Sequence, residues 1–172
     1  MTTLAQQIGD TFHCSPLLRK ARRLGLSDVT SALHLATARG ARHYASAFPP
    51  STDHLDLETF SNEELVVLLL LGEQPFEAFA IRCAAQLISL CDVSRLSRLA
   101  KLERAARPLA YIARAGADHD PVQAERWRRL LDLLDRPLPV GEGRLPHWSR
   151  FVSHSGVTRS GPPHIEWLNA RR

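Results

Sequence analysis

The sequence predicts an all-α fold: a compact bundle of about seven short helices over residues 1–135, followed by an extended tail over 136–172. Three observations carry this expectation. Helix start and stop signals recur at short intervals, apolar residues repeat with the helical period, and no convincing period-2 run precedes residue 136. The composition agrees, since 172 residues with 44% hydrophobic content suit one domain with a real core.

The elements follow in order. Ser15 before Pro16 reads as an N-cap with proline at the first helical position, where its missing N–H costs nothing, and Gly25 closes that helix. Ser27 reads as the cap of a second helix running to Tyr44, with Val29, Ala32, Leu33 and Ala36 on one face and Pro49 and Pro50 as its stop. Ser61, with Glu64 three residues later, forms a capping box before the run Leu65 to Leu71, and Gly72 ends this third helix. Being apolar on almost every face, it is expected at the centre. A fourth helix opens near Gln74 and Pro75 and carries Phe76, Phe79, Ala80, Cys83, Ala84, Leu87 and Ile88 at i, i+3, i+4, i+7 spacing. Asp92 caps a fifth, whose Leu96, Leu99 and Leu102 are assigned to the core. Pro108 opens a sixth that closes at Gly116. Asp120 and Pro121 open a seventh, with Trp127, Leu130, Leu131 and Leu134 inward and Glu125 facing Arg129 outside. The helical pairs over 74–105 and 108–134 also suit HEAT-like stacking, but solenoids usually need three or more repeats, which favours the bundle.

From Arg136 onward, five prolines and four glycines fall within 37 residues, and two of the three tryptophans lie among them. Disordered tails are poor in aromatics, so this basic, aromatic tail is expected to dock at least partly on the helices. A short hairpin is expected from Arg150–His154 and His164–Leu168. Trp148, Phe151 and Val152 form one apolar cluster, assigned to the protein's own helices. Ile165, Trp167 and Leu168, with Arg171 and Arg172, form a second, equally suited to the protein's own helices and to a partner, and are assigned as candidate partner contacts.

Charge alternates along the chain: +4 over 1–51, −7 over 52–77, +5 over 78–114, −2 over 115–135 and +4 over the tail. Neutralisation within the fold is the simplest reading of such alternation. Two local runs stand out. Arg19, Lys20, Arg22 and Arg23 crowd one helix end, where the macrodipole already favours cations. Arg95, Arg98, Lys101 and Arg104 recur every three residues, which spreads them over half a helix circumference; Arg82, Arg107 and Arg114 are nearby cations. Both runs are candidate polyanion sites. Ala21 and Gly25 have helix-turn-helix spacing, but Ser31 and His34 would occupy apolar recognition-helix positions, so that motif fails.

Other chemistries find little support. His13 beside Cys14, the Asp118-His119-Asp120 triplet, and His147, His154 and His164 lack the tight pairing of metal ligands. No nucleophile elbow, phosphate loop or dinucleotide fingerprint is present; Ser153, His154 and Ser155 lack a nameable carboxylate partner, and Glu63 and Glu64 sit in a first helical turn where the dipole favours them. No catalytic residue, metal ligand or cofactor is therefore assigned. Three unpaired cysteines, no secretory pattern at the N-terminus, and a longest apolar run of seven residues, against the roughly 20 needed to cross a bilayer, point to a cytoplasmic protein without membrane contact. The expected function is a non-enzymatic protein-protein interaction or adaptor module, engaging another protein or a second copy of itself. Nucleic-acid binding through the basic faces and tail is the alternative, and an undetected enzyme the third.

Overall fold

Local capping chemistry sets most of the helix starts. The computed structural model describes residues 15–26, 28–50, 60–71, 77–135, 137–140, 144–155 and 164–171. Within them run seven α-helices: α1 (Pro16–Arg23), α2 (Val29–Ala38), α3 (Asn62–Leu70), α4 (Ala78–Leu87), α5 (Val93–Leu102), α6 (Ala106–His119) and α7 (Ala124–Leu133). Three short 3-10 turns at Arg42–Tyr44, Ile88–Leu90 and Trp148–Arg150 join or extend them. The chain ends in a hairpin of β1 (Val152–Ser155) and β2 (His164–Trp167). The strands are antiparallel, with Val152 opposite Trp167 and Ser155 opposite His164. No helix among the described residues is long and apolar enough to cross a membrane.

Ser15 Oγ accepts the Leu18 N–H, Ser61 and Glu64 close their reciprocal box, and Asp92 accepts the Arg95 N–H, all as the sequence predicts. At α2 the cap is Asp28, one position beyond Ser27, which lies outside the described residues. Its carboxylate accepts the Ser31 N–H at 2.7 Å, and that bond holds the Asp28 pKa below its ordinary value. The same helix stops at Ala38 instead of continuing to Tyr44, because Gly40 turns the backbone to φ +117° and Ala41 N–H bonds back to Ala36. Glu77 caps α4, while the expected opening at Gln74, Pro75 and Phe76, and the stop at Gly72, lie outside the described residues.

α3 occupies the centre, packing against α1, α2, α4 and α5, and Leu65, Val66, Val67, Leu69 and Leu70 are all buried. Its Glu63 is buried too, and its Oε1 accepts the Asp92 N–H at 2.7 Å, which locks α3 to the start of α5. α5 then leans on α7, and α7 packs along α6.

The second half departs from expectation in four places. α6 begins at Ala106 and runs through Gly116 to His119. Gly116 is thus interior, where its bare Cα receives the Trp127 indole face. Asp120 does not cap α7, which starts at Ala124; it is buried and accepts the Trp127 Nε1–H at 2.9 Å. On α5, Leu96 and Ala100 are buried as core, but Leu102 is 73% exposed. On the outer side of α7, Glu125 pairs with Arg128 at 3.7 Å and not with Arg129.

Candidate functional site: a basic groove between α1 and α5

The N-terminus of α1 is anchored to the end of α5 by one buried bond, Leu17 N–H to Glu103 Oε1 at 3.2 Å. That contact brings together two cationic runs far apart in sequence. Lys20 of α1, Arg95, Arg98, Leu99 and Leu102 of α5, and Ser61, Glu63 and Glu64 of α3 line one open groove of about 510 Å³.

Both carboxylates in the groove are already engaged. Glu64 Oε1 sits 2.6 Å from Lys20 Nζ while its Oε2 accepts the Ser61 N–H at 2.8 Å, and Glu63 is committed to Asp92. Arg95 and Arg98 are exposed, and no carboxylate among the described residues pairs with either. The groove therefore combines guanidinium groups that no described carboxylate pairs, Arg98 Nε donating to Ser94 O, with two leucines, one largely in water and one half-buried. The other cations of the runs lie outside it. Arg19, Arg22 and Arg23 surround a shallow concavity beside Pro16. Lys101 turns to Asp135 at 2.9 Å, an exposed pair worth little, and Arg104 stands exposed at the turn after α5 with φ +63°. Arg107 donates to the Leu138 and Pro139 carbonyls, which spends it on holding the tail, while Arg114 gives a single Nη2–H to Pro137 O.

The tail residues assigned to a partner divide. Ile165 is 37% exposed, but Trp167 is only 3% exposed and its ring lies 5.2 Å from Trp127 and 5.6 Å from Phe151. Leu168 is half-buried, and its N–H donates to Phe151 O at 2.9 Å. Ala170 N–H bonds to Gln86 O, Gln123 Nε2 to Asn169 Oδ1, and Arg171 N–H to Gly40 O. The segment after β2 is thus pinned along the helical domain, with Arg171 exposed and Arg172 outside the described residues. The burial of Trp167 is explained by its register: opposite Val152, it points to the same face as that buried residue.

The histidines serve structure as well. His34 Nδ1 lies 2.6 Å from Pro49 O, and His147 Nδ1 accepts the Ser149 N–H. His119 stacks on Trp148 at 3.7 Å. His154 is exposed on β1, and His13 and Cys14 lie outside the described residues. Cys83 and Cys91 are buried, and desolvation pushes both thiols up, Cys83 to about 12. Among the described residues no group of three His, Cys, Asp or Glu side chains is placed to hold a metal ion. The groove escapes sequence reading because nothing local announces the Leu17–Glu103 contact that assembles it. The only hint is that both runs are basic. No family model, curated protein or solved structure matches this chain, so the functional reading rests on the geometry just described.

Proposed function

We propose that this protein is a non-enzymatic interaction module whose α1–α5 groove receives an acidic, amphipathic helix of another protein. The observation that carries the reading is the convergence of Lys20, Arg95 and Arg98 on a surface where Leu102 is 73% exposed. An exposed leucine flanked by cations is unfavourable in water, at roughly 25 cal/mol per Å² of apolar area, and burial under an apolar partner side chain relieves it. The flanking arginines then meet carboxylates on the partner's polar face, which steers encounter and fixes register. Nucleic acid suits this groove less well, because none of its lining residues is aromatic to stack bases. The exposed Arg19, Arg22 and Arg23 give the nucleic-acid reading its support, and the test includes it.

The test is a titration of a labelled Glu/Leu peptide of about 16 residues, roughly four helical turns, against the full chain, with single-stranded and duplex oligonucleotides in parallel. Saturable peptide binding that falls roughly tenfold in Arg95→Glu/Arg98→Glu and also falls in Leu102→Ser supports the proposal. Oligonucleotide binding with a steep salt slope, lost on charge reversal at Arg22 and Arg23 while the peptide does not bind, replaces it with the alternative.

A further inference from the structure

Away from the groove, α6 together with Pro139, Val140, Leu145, His147 and Trp148 lines an open cleft of about 480 Å³, within the range of small-molecule sites. Tyr111, Ala115, Leu145 and Trp148 supply apolar walls, and Arg114, Asp118 and His119 supply polar groups.

Three features show a preformed site. The Trp148 indole is held flat by the His119 ring, stacked at 3.7 Å with an interplanar angle of 12°. Arg114 Nη2 donates to Pro137 O at 2.9 Å, which fixes the guanidinium and leaves its other N–H groups for an occupant. Tyr111 Oη donates to Pro146 O at 2.8 Å, which fixes the phenol, and burial raises its pKa. Asp118 is exposed at the rim, where solvent screens its charge. What remains is a fixed indole, one face covered by His119, beside a forked cation within mostly apolar walls. A planar ring stacks on the first, and a carboxylate accepts two parallel N–H bonds from the second.

We infer that this cleft binds a small planar aromatic carboxylate, with its ring against Trp148 and its carboxylate on Arg114. The site is separate from the proposed groove, and either can fail without the other. The tryptophans provide the assay. Trp127 and Trp167 are buried, whereas Trp148 is half-buried and lines the cleft, so its indole N–H cross-peak reports occupancy in an NMR titration. The probe is 2-naphthoate, with neutral 2-naphthalenemethanol as comparator. The expected result is a saturable shift of the Trp148 peak with a Kd below about 1 mM, weakened roughly tenfold or more in Arg114→Gln and in the alcohol. Arg114→Gln retains a donor for Pro137 O, and unchanged Trp127 and Trp167 peaks certify its fold. No saturable shift at millimolar probe, equal binding of the alcohol, or binding unaffected by Arg114→Gln overturns the inference.

Discussion

Gly116→Ala is predicted to destabilise the protein although it replaces a mid-helix glycine with the best helix former. A Cβ built there lies 2.4 Å from Trp127 Cδ2, 2.5 Å from Cε2 and 2.8 Å from Cγ. Carbon atoms need about 3.5–4.0 Å, so the indole must retreat by roughly 1 Å. Trp127 has little freedom to do so: it is fully buried, backed by Trp167, and its Nε1–H is held by the buried Asp120 carboxylate. Helix propensity favours the substitution by about 1 kcal/mol. Overpacking opposes it by about 1–3 kcal/mol, and stretching the buried Trp127–Asp120 bond adds about 1–3 kcal/mol. The net cost is about 1–5 kcal/mol, a fall in Tm of roughly 2–20 °C for a chain of this size. Calorimetry or urea denaturation measures it, and a double-mutant cycle isolates the cause. In a Trp127→Leu background the clash is gone, and Gly116→Ala is expected to stabilise by about 0.5–1 kcal/mol. A cost equal in both backgrounds, or none in either, would refute the argument.

Further predictions concern the tail and the core. Trp167→Ala is expected to cost about 3–5 kcal/mol in denaturation, and removal of residues 164–172 at least as much; a truncated chain with parental stability would show that the hairpin is not part of the core. Gly40→Ala introduces a Cβ 2.8 Å from Arg171 O at a φ of +117°, so amide exchange at Ala170 and Arg171 should accelerate as the chain end detaches. Because burial raises the Cys83 pKa from 9.0 to about 12, the native thiol should resist iodoacetamide at pH 8 and react fully in denaturant. The sign for stability follows. The folded state favours the protonated thiol, so this contribution is complete below about pH 9 and is lost as pH rises toward 12, which Cys83→Ala should abolish in alkaline denaturation curves.

What the sequence made legible was what local chemistry decides. The caps at Ser15, Ser61 and Asp92 and the stop at Gly25 are bonds between residues a few positions apart, and α3 is central because no face of it tolerates water. The hairpin followed from apolar runs separated by a glycine- and proline-marked stretch. Gly116 misled because propensity treats glycine as a stop, whereas the need for space beneath Trp127 keeps it within a helix. Gly40 hid among Ala41 and Tyr44, whose side chains pack with the core even though the backbone has left the helix. Leu102 was assigned to the core by period alone. The buried face of α5 instead follows Leu96 and Ala100, which leaves Leu99 and Leu102 on the groove flank beside Arg95 and Arg98. The basic runs were visible individually, but their convergence depends on a tertiary bond between residues 17 and 103.

The most direct test of the groove as one binding surface is amide chemical-shift mapping of the labelled full chain with the acidic Glu/Leu peptide. The account predicts perturbations in α1 around Lys20 and in α5 from Arg95 to Leu102 that saturate together with one Kd. Shifts confined to one of the two helices, or falling elsewhere on the molecule, would contradict it.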